Sequence, residues 1–112
     1  MENKSLLLLS CCILSLFLSL PLGAQTFVIG QVIDAATKEP LPYVNIGLLN
    51  KNIGTVSDET GYFELEVNTE QNIRDTLRFS MIGFETKSYT LNDFINQNEI
   101  EDIALKQQNG QP

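Results

Sequence analysis

From Thr26 onward, apolar and polar side chains alternate in short runs, and each run ends in residues that turn a chain. Period-two alternation places every second side chain on one face of a strand. The pattern predicts strands over residues 27–33, 43–49, 54–57, 62–67, 76–81, 86–91 and 100–105. Their inward sets are Val28 and Val32; Val44, Ile46 and Leu48; Phe63, Leu65 and Val67; Leu77, Phe79 and Met81; Tyr89 and Leu91; Ile103 and Leu105. Opposite them fall Asn45, Glu64, Glu66, Arg78, Ser80 and Ser88, as a solvated outer face requires. No stretch keeps a helical period, so the expected fold is all-β: a seven-stranded antiparallel β-sandwich of two packed sheets.

The connectors sharpen this picture. Pro40 and Pro42 fix φ and remove two donors, so residues 35–42 form a loop that delivers extended chain into Tyr43. Residues 91–98 are polar around Phe94 and Ile95, and Asn92 is placed to cap one helical turn whose apolar residues plug an open end of the sandwich. In the stretch GTVSDETGYFEL, Asp58 accepts from the backbone two residues on and Gly61 takes a positive φ, which predicts a tight hairpin turn. Residues 107–112 read as a flexible tail.

Ahead of the strands, MENKSLLLLSCCILSLFLSLPLGAQ has the order of a secretory signal peptide: Lys4, an apolar run from Leu6 to Leu20, then Pro21 and the small pair Gly23 and Ala24. The domains are then a signal peptide at 1–24, the sandwich at 25–106 and the tail at 107–112. Cleavage after Ala24 leaves 88 of the 112 residues, a single domain. Two alternatives stay open: an uncleaved anchor, and lipid attachment at Cys11 through the Leu8 to Cys11 stretch. Both cysteines, Cys11 and Cys12, lie in the leader, so the exported chain carries no disulfide.

Charge and residue types then exclude chemistry. Glu2 and Lys4 leave together, and the net charge stays at −7. Such a chain repels phosphate backbones and anionic lipid, so neither nucleic acid nor direct membrane insertion after cleavage is expected. Histidine and tryptophan are absent. Without His or exported Cys, the Ser-His-Asp and Cys-His arrangements are excluded, and a serine nucleophile at Ser57, Ser80 or Ser88 has no lysine set beside it by a motif. Asp58-Glu59, Glu64/Glu66 and Glu101-Asp102 are the acid pairs, and a glycosidase pair needs a cleft and a raised pKa that none of them announces. No catalytic or cofactor-binding residue is therefore assigned. Asp58 and Glu59 form a cation loop only if another loop donates oxygens, because calcium takes six to eight. Tyr43, Tyr62, Tyr89, Phe27 and Phe84 are the candidate rings for a carbohydrate platform, although aromatics in strands more usually pack in the core or across strands and no tryptophan stands with them.

Five motifs in order, GQVID at 30–34, EPLPYVNI at 39–46, GTVSDETGYF at 54–63, LRFS at 77–80 and IGFE at 82–85, resemble the carboxypeptidase regulatory-like domain. The resemblance implies a transthyretin-like Greek-key β-sandwich without catalytic residues. It implies structural roles for Gly30, which lets the first strand bend or another backbone approach, for Gly54 and Gly61, which bracket the hairpin, and for Gly83, which turns the chain. Similar modules lie behind the signal peptide of TonB-dependent outer-membrane receptors and in other envelope proteins. The implied location is the periplasm, the outer membrane or the cell surface. The sequence thus supports a non-catalytic interaction or assembly module that meets an envelope protein by edge-strand pairing. A separately encoded or truncated extension of a TonB-dependent transporter is the first alternative, and a carbohydrate- or calcium-binding module the second.

Overall fold

The computed structural model describes residues 25–97 and 102–108. Residues 1–24, expected as a signal peptide, residues 98–101 with Glu101 of the third acid pair, and residues 109–112 of the expected tail lie outside the described residues. The strands are β1 (Gln25–Asp34), β2 (Asn45–Leu48), β3 (Gly54–Val56), β4 (Tyr62–Asn68), β5 (Thr76–Ser80), β6 (Lys87–Thr90) and β7 (Ile103–Leu105). Two short helices, α1 (Thr69–Asn72) and α2 (Leu91–Ile95), follow β4 and β6. One sheet has the order β4-β1-β7 and the other β3-β2-β5-β6.

The inward faces named by the alternation meet between the sheets. Val28, Val32, Val44, Ile46, Leu48, Phe63, Leu65, Val67, Leu77, Phe79, Leu91, Ile103 and Leu105 are all buried, and Leu41 joins them from the loop after β1. Met81 and Tyr89 pack against this core while remaining partly exposed. Phe79 sits at its centre, edge-on to Phe63 at 5.4 Å and to Tyr89 at 6.0 Å, with Phe94 of α2 at 5.9 Å. Phe94 is thus the plug, and Ile95 points to solvent.

Four features depart from the sequence reading. First, the sandwich is not wholly antiparallel: β7 lies parallel to β1, with Val32 opposite Ile103 and Asp34 opposite Leu105. Second, β3 and β4 do not form a hairpin. β3 pairs with β2 and β4 with β1, so the 58–61 turn carries the chain from one sheet to the other. Third, Tyr43 has a φ of 62° and stands before β2 rather than in it. Its N–H donates to the Ser57 carbonyl at 2.9 Å, which fixes the bend that follows Pro42. Fourth, α2 is capped by Thr90, whose Oγ1 accepts from Asp93 N–H at 3.1 Å, rather than by Asn92. The alternation of 86–91 ends one residue early because Thr90 supplies that cap.

The first part of the tail is tied down. Gln107 Nε2 donates to Asp34 Oδ2 at 2.9 Å, and Gln108 N–H donates to the Gly83 carbonyl at 2.9 Å. Gln107 also bridges to Phe84. No helix among the described residues is long and apolar enough to cross a membrane.

Candidate functional site

Asp58 organises the stretch that joins the sheets. Its Oδ1 accepts from Thr60 N–H at 2.9 Å, Thr60 Oγ1 at 2.7 Å and Tyr62 N–H at 3.1 Å. Its backbone C=O accepts from Gly61 N–H at 2.9 Å, closing a four-residue turn, and its N–H donates to the Tyr62 carbonyl at 2.8 Å. Gly61 has a φ of +78°, and a Cβ there would come within 2.4 Å of the Val32 carbonyl oxygen. The same approach lets Val32 N–H donate to the Gly61 carbonyl at 2.8 Å. Oδ1 is therefore engaged by the turn itself. Glu59 is exposed beside it, and no group of three or more His, Cys, Asp or Glu among the described residues could hold a metal.

The other glycines serve packing and turning. Gly30 faces inward, and a Cβ there would meet the Phe63 ring at 3.0 Å and Ile103 Cδ1 at 3.2 Å, so its space is taken by side chains rather than by another backbone. Gly54 lies opposite Gly47 in the β2-β3 hairpin, and a Cβ on either would press on a backbone carbonyl of the other strand at 3.0 Å. Gly54 and Gly61 thus belong to different connections. Gly83 has a φ of +88° in the turn between β5 and β6, where Phe84 N–H donates to the Met81 carbonyl at 3.1 Å.

Three polar residues are buried, Ser57, Asp34 and Asn72, and the first two fasten loops to strands. Ser57 is fully buried; its Oγ donates to the Leu41 carbonyl at 2.7 Å and accepts from Val44 N–H at 2.8 Å. It clamps the proline loop onto the end of β3, which leaves no free nucleophile. Replacing it in Ser57→Ala strands the Val44 N–H, and an unpaired buried donor costs about 1–3 kcal/mol. A chemical-denaturation midpoint that falls accordingly is the expected result; an unchanged midpoint would mean that water replaces the hydroxyl.

Asp34 is the second. Its Oδ1 accepts from Ala36 N–H at 2.8 Å and Thr37 N–H at 3.3 Å, while Oδ2 takes Gln107. The Gln107 amide, followed by the Ala36 N–H, holds the Asp34 carboxyl below its ordinary range against the opposing effect of burial. The Thr60 hydroxyl, followed by its N–H, does the same for Asp58. A carboxyl whose folded pKa is depressed binds fewer protons in the folded state. Its stabilisation is present above the ordinary value near 3.8 and is lost as pH falls through the lowered one. Urea midpoints should hold steady from neutral pH down to about 5 and drop below about 4. The drop should be smaller in the double variant Asp34→Asn with Asp58→Asn, and an equal drop would assign the acid sensitivity elsewhere.

The acid pairs and the rings also separate. Glu64 and Glu66 stand on the exposed face of β4, and Asp58 and Glu59 are both exposed on the turn, so no enclosed cleft holds either pair. Phe84 and Tyr89 pack against the core, while Phe27, Tyr43 and Tyr62 are exposed. The five rings do not share a face.

What the molecule does present is an open strand edge. β4 is an edge strand of seven residues, against three in β3, four in β6 and three in β7. The Val32 to Gly61 bond sets the register of hydrogen-bonded pairs, so Phe63, Leu65 and Val67 bond to β1. The N–H and C=O groups of Tyr62, Glu64 and Glu66 then point away from β1. Asp58 takes both groups of Tyr62, and Asn72 Nδ2 donates to the Asn68 carbonyl at 2.7 Å. Between these ends, no hydrogen bond among the described residues reaches the outward backbone of Glu64 or Glu66. Beside them an open groove of about 540 Å³ runs between β3 and β4, lined by Ile29, Thr55, Val56, Tyr62 and Glu64.

Two facing sheets, buried serine and aspartate spent on hydrogen bonds that fasten loops and tail, and an unpaired edge define a β-sandwich module. The family model of the CarboxypepD_reg-like domain matches residues 28–111, and the chain belongs to that family. Comparison with curated proteins and with solved structures gave no match.

Proposed function

We propose that this chain is an exported, non-catalytic sandwich of the transthyretin-like Greek-key type that serves as an interaction or assembly module in the bacterial cell envelope. The observation that carries the reading is the open edge of β4, whose central backbone groups have no hydrogen-bond partner among the described residues. An extended segment of another protein added to such an edge gains main-chain hydrogen bonds without reshaping the sandwich. The leader before Gln25 supports export to a compartment where such partners reside. Membership of a family of regulatory-type modules supports a role without turnover. Chemical cross-linking in intact cells, followed by identification of the adduct, tests this. A defined envelope protein linked to the chain is the expected product; recovery of the chain only as an unattached monomer would overturn the reading.

A further inference from the structure

We propose that the β4 edge receives an extended segment of a partner protein carrying lysine or arginine at alternate positions around an apolar residue. This rests on the edge-pairing reading above and specifies which edge and which chemistry.

The backbone opening is short and bounded, because Asp58 closes it at Tyr62 and Asn72 closes it at Asn68. A partner strand therefore registers on Glu64 and Glu66. Partner residues opposite these two lie on the outer face, alongside two carboxylates that no cation among the described residues engages. The one ion pair among the described residues is Lys51 with Asp75, which joins the loop between β2 and β3 to the residue before β5. Opposite charges across a strand pair stabilise it, and like charges destabilise it. A second copy of β4 would set glutamate against glutamate on a chain of net charge −7, so self-pairing is disfavoured.

Deterring self-pairing would by itself explain two edge glutamates. It does not explain what flanks them. Phe27 and Ile29 lie directly across β1 from Glu66 and Glu64, and they are 57% and 45% exposed; Tyr62, the next outward residue of β4, is 53% exposed. Long cationic side chains fit this strip: their apolar stems lie along the outer face of β4 beside Tyr62 while their heads stay at the carboxylates, which stand between them and the exposed Phe27 and Ile29 of β1. The partner residue between the two cations points the other way, to the groove edge at Thr55 and Val56, where an apolar side chain is accommodated.

The probe is a short synthetic peptide alternating lysine and valine, titrated into the full chain and followed by calorimetry and amide hydrogen exchange. We expect exchange at Glu64 and Glu66 to slow at least tenfold on binding. Affinity should fall about tenfold for the double variant Glu64→Lys with Glu66→Lys, for a glutamate-valine peptide, and for a lysine-valine peptide N-methylated at alternate amides. The milder variant Glu64→Gln with Glu66→Gln, checked for an unchanged unfolding midpoint, should lie between. Equal affinity for the charge-reversed variant or the N-methylated peptide would overturn the proposal, as would absence of binding. Protection of β3, β6 or β7 amides instead would overturn this assignment while leaving an edge-pairing module intact; loss of every cross-link in cells would remove the module reading itself.

Discussion

Gly61→Ala should be the most damaging small substitution in the β3-to-β4 connection, lowering stability by about 2–5 kcal/mol. A left-handed φ costs a residue with a Cβ roughly 1–2 kcal/mol, and forcing atoms into a filled space costs about 1–3 kcal/mol more. Both apply here, because the φ is +78° and the new Cβ would sit 2.4 Å from the Val32 carbonyl oxygen. Backbone lies on the other side of the contact, so no flexible side chain can yield. Retreat of β1 would break the Val32 to Gly61 and Leu41 to Val32 hydrogen bonds, which hold the 58–61 turn and the proline loop against β1 respectively. A domain of this size has about 4–13 kcal/mol in total, so much of the population would unfold at moderate denaturant. Equilibrium urea unfolding checks this. A midpoint within error of the parent would show that the turn can reopen without cost.

Phe79→Ala should be comparably severe for a different reason, with an expected loss of about 3–5 kcal/mol. Phe79 is fully buried on β5 and touches rings from three other elements: Phe63 of β4, Tyr89 of β6 and Phe94 of α2. Removing it deletes contacts in both sheets and releases the helix that plugs the end. The surrounding rings can collapse only partly, because the Phe63 ring is packed closely over Gly30. The same urea measurement applies, and near-ultraviolet dichroism should show Tyr89 losing its fixed environment. A loss under about 1 kcal/mol would mean that the core repacks around the cavity.

The two substitutions separate what the residues disclose locally from what they do not. The inward face of every strand except β3 was legible, because one side of each sheet is wet and period two follows from the pleat, whereas β3 buries no residue fully. Phe79, Leu77 and Ile46 needed no further information. The Asp58 turn was legible too, since its bonds span four residues. What that turn connects was not. A turn of 58–61 has the same local chemistry whether the chain returns beside β3 or crosses to β1, and only the partner strands decide. The parallel pairing of β7 with β1 is likewise a contact between distant segments. So is the bond from Gln107 to Asp34, 73 positions apart, which turned part of an expected flexible tail into structure.

One omission had a signal. Asn68 precedes Gln71 by three, a pairing that marks a helix start, and Asn68 Oδ1 does accept from Gln71 N–H at 3.1 Å to cap α1. The alternation through β4 hid it, because Asn68 also completes that strand. The exposed Phe27 and Ile29 were hidden by the same rule that revealed the core. They share the outward face of β1 with Gln31, and an apolar residue on a face expected to be polar is informative only once burial is known. The candidate surface therefore emerged from the structure, while its two glutamates were already assigned to the solvated side.

Position-by-position photo-crosslinking in intact cells tests the central claim most directly. A photoreactive residue is placed in turn at Glu66 on β4, Thr55 on β3, Ser88 on β6 and Ala104 on β7. The account predicts one adduct of defined mass from Glu66, with a weaker one from Thr55 across the groove, and no adduct from Ser88 or Ala104. Free chain from all four positions, or an adduct confined to Ser88 or Ala104, would contradict it.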